Sequence, residues 1–348
     1  MIPIANVLIV GGGLSGCTAA LEIANGGHKA VIVEKSAEIG GKVRHYGCKA
    51  ASACNNCGLC LPGDLWEAVE NHPGINILTC SVLVDLAGSR GEFTAVVKKR
   101  GDGVHKVLTG ISRVIVSVGF ERASASSSAH LEFSGSQNII SGYQLERYIS
   151  GRGRNDLLPD FPASVAFIQC FGSRDVQEAA LYCSRVCCGY STRSARVLKH
   201  YYPDIRISFF YMDLQYVEGD SYYETLVSEG FEFIRSRPVK IKAGKPASVV
   251  CEDPCTGEIV EREFDLVVLS EGIHPAADTD RIAEICMLGV NGDGFLKQAR
   301  NASETGIYVA GCAAGPARIE EVYNESLAVA GQVLNDIKRD TGTAPVKY

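Results

Sequence analysis

The sequence predicts an α/β fold made of two successive units with parallel sheets. An apolar strand, Ala5 to Val10, leads through a glycine-rich turn into a helical pattern from Leu14 to Ala24, followed by a strand from Ala30 to Glu34. This βαβ order is the one that two parallel neighbouring strands require. Alternating strands and helices start again near Ser164, which predicts the second unit.

Each unit is assigned from its run of predicted elements. We expect residues 1–155 and 295–348 to form one discontinuous unit, because a strand at Gly306 to Ala310 and a helix from Ile319 to Lys338 return to it. Residues 156–294 form the other, with strands at Val165–Gln169, Ile205–Tyr211, Phe231–Ile234 and Leu266–Leu269. Within residues 1–155, the patterns also predict a helix at Gly63–Glu70, antiparallel strands around Ile75–Leu86 and Glu92–Lys99, and a hairpin at Gly101–Gly103. A strand at Val114–Val118 and a linker at Arg122–His130 follow.

Composition limits the class of protein. The chain has 348 residues, a net charge of −6 and 14 cysteines. The negative charge gives no reason to expect a nucleic acid or an anionic membrane surface as partner. No leader or membrane-spanning run is evident, so the cysteines indicate metal or redox chemistry in the reducing cytoplasm.

Gly11, Gly13 and Gly16 form a G-x-G-x-x-G motif between the first strand and its helix, and Glu34 ends the second strand. Such glycines allow a tight turn, the approach of a pyrophosphate and close helix packing. Glu34 would accept hydrogen bonds from a ribose diol, which disfavours NADP. The motif therefore predicts bound FAD or NAD.

Four cysteines with the spacing C-x12-C-x3-CC are the most specific feature: Cys170, Cys183, Cys187 and Cys188. Four thiolates meet the ligand count of a [4Fe–4S] cluster. The alternative is a buried vicinal pair or a set of unrelated thiols. A zinc ribbon would need two separate C-x2-C pairs, which this stretch lacks.

A second group, Cys54, Cys57 and Cys60, has the spacing C-x2-C-x2-C. It resembles half of a ferredoxin motif, and Cys48 or Cys80 could complete a cluster. Cys57 and Cys60 could instead form a redox dithiol, or the loop could be purely structural. No catalytic residue is otherwise indicated.

The runs QCFGSRD and YCSRVCC resemble the flavin-carrying subunit of heterodisulfide reductases. Other segments follow that family's order, among them HPGINILTCSVL, FFYMDLQ and IYVAGCAAGPARIEE. The resemblance implies that the four cysteines of the C-x12-C-x3-CC motif bind a [4Fe–4S] cluster beside FAD.

The continuation VEKSAEIGGK resembles flavoproteins with two dinucleotide-binding domains, of the thioredoxin reductase type. The resemblance implies an FAD domain, with Gly40 and Gly41 along the pyrophosphate and a C-terminal motif ending at Gly311. Cys312 replaces the aspartate of many members, as in the heterodisulfide reductase relatives. The residues expected to bind FAD are Gly11, Gly13, Leu14, Ser15, Gly16, Glu34, Lys35, Gly40, Gly41, Lys42, Gly119, Gly311 and Cys312.

In the second unit the glycine loop of a pyridine-nucleotide domain is replaced by Cys170 to Arg174. Bulky Phe171 and Arg174 would obstruct a pyrophosphate. We therefore expect that NAD(P)H oxidation is lost and that electrons pass between FAD and the cluster.

The resemblance also implies partners. Methanogen-type subunits carry an extra N-terminal domain and ferredoxin modules, so this sequence is most similar to the short heterodisulfide reductase-like flavin subunit of sulfur-oxidising bacteria. That protein works with iron–sulfur and disulfide-handling subunits and with lipoate-binding proteins. A homodimer is expected because two-fold dimers are the commonest assembly. The alternatives are a self-sufficient NADH-dependent disulfide reductase and a cluster-bearing scaffold or sensor.

Overall fold

The computed structural model describes residues 6–101, 103–123, 131–132, 136–151, 162–176, 180–215, 221–298 and 301–340. The chain divides into two compact units. The first comprises Met1–Arg44, Gly58–Glu121 and Pro275–Tyr348, and the second comprises His45–Cys57 and Arg122–His274. One discontinuous unit was expected, but both units are discontinuous.

The unit bounds differ from those the sequence predicts at three places. Residues 45–57 and 122–155 group with the second unit, and residues 275–294 group with the first. Sheet pairing and core packing explain two of these shifts. Ile140 pairs with Val268 of the second unit's sheet, and Ile282 and Cys286 belong to the hydrophobic core of the first.

The described residues form the following helices and strands in chain order. The stretch to residue 122 contains β1 (Asn6–Val10), α1 (Leu14–Asn25), β2 (Lys29–Val33), α2 (Leu65–Asn71), β3 (Ile75–Leu78), β4 (Ser81–Ser89), β5 (Glu92–Lys99), β6 (His105–Val116) and β7 (Phe120–Arg122). The next stretch contains β8 (Leu131–Glu132), β9 (Ile139–Ser141), α3 (Gly142–Ile149), β10 (Ser164–Phe171), α4 (Cys187–Tyr201), β11 (Arg206–Phe210), α5 (Tyr222–Ser228), β12 (Glu232–Ile234), β13 (Lys240–Lys242), β14 (Ala247–Glu252), β15 (Ile259–Phe264), β16 (Leu266–Glu271) and β17 (Ile273–Pro275). The last contains α6 (Thr279–Ile285), α7 (Ala302–Thr305), β18 (Ile307–Val309) and α8 (Ile319–Asp340).

The first unit is built on one mixed sheet with the strand order β3-β2-β1-β6-β5-β4, and β18 also pairs with β6. Strand β6 has two roles. Its first half pairs antiparallel with β5, and its second half pairs parallel with β1 and β18. The expected strand at 114–118 is therefore the end of a longer strand.

One strand prediction is wrong. Residues 75–86 do not form a single antiparallel segment, because β3 pairs parallel with β2 while β4 pairs antiparallel with β5. Cys80 lies between β3 and β4 with φ +49°, and this left-handed turn separates the two strands. The predicted hairpin near residue 101 joins β5 to β6, although Asp102 lies outside the described residues, as do positions 124–130 of the predicted linker.

The second unit contains a parallel five-stranded sheet with the order β12-β11-β10-β16-β9. Strands β13, β14 and β15 form a separate antiparallel meander, with β8 beside β13. The chain leaves β10 for β11 on one side, whereas β16 lies on the other. In sheets of this kind, ligands bind at the carboxyl ends of the strands where the order reverses, which here means the ends of β10 and β16.

The described part of the chain has no helix that is both long enough and apolar enough to span a lipid bilayer.

Candidate cofactor sites

The loop between β1 and α1 has the shape that a dinucleotide pyrophosphate needs. Gly11 has φ +104°, and a Cβ atom there would lie 2.3 Å from the carbonyl oxygen of Ser117. A Cβ at Gly16 would lie 1.9 Å from the carbonyl oxygen of Gly11, but a Cβ at Gly13 would meet nothing within 4 Å. Packing therefore requires glycine at the first and third positions, and the second leaves space for a phosphate to reach the backbone.

Glu34 follows β2 and is buried, with 6% of its surface exposed. Its carboxylate accepts hydrogen bonds from the backbone N–H groups of Gly12 at 2.6 Å and of Ser36 at 2.7 Å. A carboxylate has about four acceptor positions, so these bonds leave capacity for ribose hydroxyls. The ribose contact stays a prediction, and the structure adds a second role, that of fixing the glycine loop.

Gly40 and Gly41 lie against the same loop. The N–H group of Gly40 donates to the carbonyl oxygen of Gly12 at 2.7 Å. A Cβ atom at Gly41, where φ is +56°, would lie 3.0 Å from the Cα atom of Gly13. The structure thus brings the two glycine motifs together at one place.

The two lysines expected at the FAD site are paired with protein groups. The Lys42 ammonium donates to the carbonyl oxygen of Phe120 and lies 3.7 Å from a Glu121 carboxylate oxygen. The Lys35 ammonium lies 3.3 Å from a carboxylate oxygen of Asp278. A direct role in binding FAD stays a prediction for both.

The turn that follows β18 packs on the first turn of α1. Gly311 has φ +66°, and a Cβ atom there would lie 2.9 Å from the Cβ of Ser15. The Ser15 and Ser326 hydroxyls are hydrogen-bonded at 2.8 Å, and the Gly311 N–H donates to the Glu325 carboxylate. Burial raises the pKa of Glu325. Gly311 therefore packs beside the glycine loop. It contacts Ser15, and Leu14 is the first residue of α1, directly after Gly13.

Cys312 is buried, and its thiol donates to the carbonyl oxygen of Ala317 at 3.6 Å. Burial raises its pKa to about 11. Its thiol is therefore neutral at physiological pH. It cannot supply the negative charge of the aspartate found at this position in many related flavoproteins.

Gly119, the remaining predicted FAD residue, has φ +75° between β6 and β7.

The first unit fits FAD. It offers an open backbone position at Gly13, the N-terminus of α1 directed at that position, and a buried acceptor at Glu34. These features match the phosphate and ribose of a dinucleotide.

The four cysteines of the C-x12-C-x3-CC motif lie at the switch point of the second sheet. Cys170 is near the end of β10, and Cys187 and Cys188 are the first two residues of α4. This is the strand–loop–helix position where a nucleotide domain carries its glycine loop. The helix N-terminus supplies positive potential there, which favours thiolates.

The thiols of this group interact with one another. Cys187, which is 1% exposed, shares hydrogen bonds with both Cys170 and Cys188. These bonds lower the pKa of Cys170 to about 7 and lower the pKa of Cys188, while they raise the pKa of Cys187. Burial raises the pKa of Cys183, which lies close enough to Cys170 and Cys188 to interact electrostatically with both.

The four thiols provide the number of ligands that a [4Fe–4S] cluster takes. Within the described ranges, no three His, Cys, Asp or Glu side chains surround a position that one metal ion could take. A [4Fe–4S] cluster binds each of its four cysteines to a different iron and therefore does not need such an arrangement. Two residues near Cys170 in the sequence have buried polar atoms without a hydrogen-bond partner in the described structure, namely the amide of Gln169 and the hydroxyl of Ser173. Hydrogen bonds from such groups to cluster sulfurs tune the potential of a bound cluster.

The backbone around Cys170 is strained. Cys170, Arg174 and Arg185 have φ values of +57°, +55° and +61°, a region that costs a non-glycine residue about 1–3 kcal/mol. Such strain collects at functional sites because the surrounding structure must hold it.

Gly172 is the glycine that most nearly replaces the lost pyrophosphate loop, and its surroundings are filled. A Cβ atom there would lie 2.1 Å from the Cβ of Ala123 and 3.3 Å from Nε2 of His274. Gly13 has no such neighbour. The difference supports the expectation that the second unit does not bind a pyridine nucleotide.

Of the other cysteine group, Cys54 and Cys57 lie on a loop that is anchored in the second unit, whereas Cys60 belongs to the first. Cys54 is exposed and Cys57 is half-buried, and between them Asn55 is buried. The Asn55 carbonyl accepts from Arg193 Nε at 2.7 Å, and its side-chain oxygen accepts from an Arg196 guanidinium N–H at 3.0 Å. Both arginines are on α4, the helix that begins with Cys187. Cys48 and Cys60 are exposed, and Cys80 is half-buried.

A buried ion pair fixes the start of this loop. Lys49 pairs with Glu146 of α3, and its ammonium also donates to the carbonyl oxygen of Gly47 at 2.8 Å. Sequence analysis missed Lys49, Asn55 and Glu146. A single lysine, asparagine or glutamate gives no periodic signal, and only the burial of these polar side chains identifies them.

Known proteins resemble this chain in sequence along most of its length. Residues 6–55 match the family model described as FAD binding domain. The chain is 28% identical to a subunit of the Ferredoxin/F(420)H(2)-dependent CoB-CoM heterodisulfide reductase of Methanosarcina acetivorans, over 94% of this chain and 53% of that protein. It is 27% identical to a CoB–CoM heterodisulfide reductase iron-sulfur subunit of Methanopyrus kandleri, over 93% of this chain and 63% of that protein. The chain thus spans between half and two thirds of the length of these relatives.

Solved structures share the fold. Thioredoxin reductase of T. acidophilum superposes with a TM-score of 0.63 at 17% identity, covering 95% of this chain and 97% of that one. Thioredoxin reductase of Lactococcus lactis gives a TM-score of 0.57 at 15% identity, covering 96% of this chain and 99% of that one. The chain therefore has the α/β fold of two-dinucleotide-binding-domain flavoproteins, and its sequence is similar along nearly its whole length to oxidoreductase subunits of heterodisulfide reductases.

Proposed function

We propose that this chain is an electron-transfer flavoprotein subunit that carries FAD in its first unit and one [4Fe–4S] cluster in its second. The observation that carries this proposal is the position of the four cysteines. Cys170 lies near the end of β10, Cys187 and Cys188 begin α4, and Cys183 lies in the segment that connects the two elements. A thioredoxin reductase-type domain would bind a pyridine nucleotide at this position. A metal-cluster ligand set thus replaces a hydride-donor site.

The residues of the first unit would bind and orient FAD. The N–H groups at the start of α1 would contact the pyrophosphate above Gly13, and Glu34 would accept from the ribose while it holds Gly12. The turn at Gly311 would lie against the cofactor, held in place by its close approach to Ser15 and by the hydrogen bond from its N–H group to Glu325. Bound FAD exchanges electrons singly or in pairs, whereas a cluster exchanges one at a time.

The residues of the second unit would supply the thiolates. Cys170 and Cys188 have lowered pKa values and are nearest to the deprotonated state that ligation requires. Cys187, the central hydrogen-bond donor of the group, would release its proton when metal replaces the thiol–thiol hydrogen bonds.

The sequence resemblance supports a proposal for the wider setting of the protein. We propose that the protein works in a heterodisulfide reductase-like complex of sulfur oxidation, with iron–sulfur and disulfide-handling subunits and a lipoate-binding protein, as a cytoplasmic homodimer. Similarity to the methanogen subunits supports a role in a complex. Co-purification from the native host, followed by sizing of the complex, tests this setting. A protein that runs alone and reduces a disulfide unaided would contradict it.

Cofactor content is the direct test of the central proposal. The protein would be purified without oxygen and assayed for FAD, iron and acid-labile sulfide. We expect one FAD and about four irons per chain, the stoichiometry of a cubane. Flavin without iron would exclude the cluster, and an iron protein without flavin would exclude the FAD site.

The exposed cysteines near Cys54 favour one competing function, a disulfide reductase that uses its own dithiol. Reduction of the flavin by NADH, followed by turnover of a small disulfide without partners, would support that function instead. If the flavin takes up no electrons from dithionite, the chain would be a scaffold or sensor.

A further inference from the structure

Arg174 is a charged side chain in contact with the four-cysteine group. Its guanidinium hydrogen-bonds the Cys170 thiol and interacts electrostatically with Cys183. On its other side it donates to a carboxylate oxygen of Asp213 at 2.5 Å. The side chain therefore bridges the thiol group and an acidic residue.

The backbone holds Arg174 in this position from both sides. Its N–H group donates to the carbonyl oxygen of Tyr182 at 3.1 Å, and its own carbonyl accepts from an Arg237 guanidinium N–H at 3.1 Å. Its φ of +55° is a left-handed conformation that a non-glycine residue rarely adopts. A side chain that needed only to reach solvent would not require this constraint.

Asp213 is held as well. It accepts from the side-chain amide of Gln215 at 3.0 Å, and the backbone N–H group of Gln215 donates to the Cys188 thiol. Residues 213 to 215 and Arg174 therefore contact two members of the cysteine group, Cys188 and Cys170. The hydrogen bond from Arg174 lowers the pKa of the Asp213 carboxyl, which keeps it ionised.

We propose that Arg174 raises the reduction potential of the cluster, with Asp213 limiting the effect. This inference rests on the proposed function, because it requires a cluster at the four cysteines. Four thiolates give such a cluster a net negative charge that increases on reduction. A nearby cation and an N–H donor to a ligand sulfur therefore stabilise the reduced form more than the oxidised form.

The test is a redox titration of the purified holoprotein followed by electron paramagnetic resonance, with iron measured in each sample. R174Q should retain iron and titrate at a lower potential than the parent protein. Arg174→Lys keeps the charge but loses the planar donor, and it should lie between the two. Arg235→Gln is the matched control, because Arg235 interacts electrostatically with Asp213 but its Nε donates to the Met212 carbonyl.

The outcomes separate the two proposals. A parent protein without iron contradicts the proposed function. An iron-loaded R174Q protein whose potential is unchanged, or shifted no more than that of R235Q, overturns the role of Arg174. If R174Q loses iron, the Asp213→Asn variant provides the test. Removal of this negative charge should raise the reduction potential of the cluster. An unchanged D213N potential would then overturn the proposal.

Discussion

The space above Gly172 is filled by Ala123, whose Cβ lies 2.1 Å from the position that a Gly172 Cβ would take. Glycine in a nucleotide-binding loop normally leaves its Cα face open to a pyrophosphate. In this chain that face is covered by Ala123, with His274 as the next neighbour. The second unit has the sheet of a nucleotide domain, and we predict that it does not bind a pyrophosphate.

We therefore expect that NADH does not bleach the flavin of the isolated protein. Dithionite should reduce both centres, because it needs no nucleotide site. Anaerobic absorbance spectra recorded after each addition check this. Rapid stoichiometric bleaching by NADH would overturn the proposed transfer between FAD and cluster and favour the self-sufficient reductase.

Two alanine substitutions in the first glycine loop should have different effects. Gly13→Ala should fold normally, since its Cβ meets nothing within 4 Å, but should weaken FAD binding at least tenfold if one charge-assisted hydrogen bond of about 1.5–3 kcal/mol is lost. Gly16→Ala should lower the free energy of unfolding by about 1–3 kcal/mol, because the new Cβ atom would lie 1.9 Å from the carbonyl oxygen of Gly11. Thermal unfolding and flavin titration distinguish them. Equal effects in both assays would be evidence against the separate roles.

Glu34→Gln should weaken FAD binding by about 1.5–3 kcal/mol, the contribution of a hydrogen bond to a charged group. In the parent protein, the N–H groups of Gly12 and Ser36 each donate to one carboxylate oxygen of Glu34. In the variant, the amide nitrogen of the glutamine would face one of these N–H groups and could not accept its hydrogen bond. Glu38→Gln is the control, since that side chain is 53% exposed. Flavin retention after dilution and gel filtration is the measurement, and equal retention by both variants would rule out this role for Glu34.

Cys187→Ser should abolish cluster binding and leave FAD in place. Cys187 is the central member of the thiol group, in hydrogen-bond contact with Cys170 and Cys188. Cys286→Ser is a matched control, because Cys286 is an equally buried cysteine in the core of the first unit. Iron, sulfide and the visible spectrum should be lost in the first variant and retained in the second. Retention of iron by C187S would refute the ligand assignment.

Buried thiols of the first unit should resist alkylation near neutral pH. Burial raises the pKa of Cys312 to about 11 and of Cys17 to about 12, so both are neutral well above pH 8. Their contribution to stability is present below the ordinary cysteine pKa of 9.0 and is lost as pH rises towards these values. Iodoacetamide at about pH 8 with mass spectrometry should label the exposed Cys48 and Cys255 first. Early labelling of Cys312 in the folded protein would contradict this.

Local patterns predicted the elements that position the FAD site. The strands β1 and β2, the helix α1 and the long helix α8 follow from periodicity and glycine placement, and their bounds agree with the expectation within a few residues. The course of residues 75–86 could not be predicted, because a single left-handed residue at Cys80 decides between one strand and two. The β13–β15 meander likewise lacked a distinct signal.

The cysteine spacing predicted which thiols to consider, but it could not show their surroundings. The contacts of Arg174 with Cys170 and of Asn55 with α4 join positions that are distant in the sequence or depend on side-chain direction. Arg174 was interpreted only as an obstruction to a pyrophosphate. Its hydrogen bonds give it a further interaction with the thiol group.

The hydrogen bonds from Gly12 and Ser36 to Glu34 make the predicted nucleotide site preorganised. The glycine loop, which would contact the phosphates, and the end of β2, which would contact the ribose, are already fixed to each other by the protein's own groups. Binding then requires little further ordering of the backbone, and ordering is a main entropic cost of association. The apoprotein should accordingly take up its cofactor after folding, without having to fold around it.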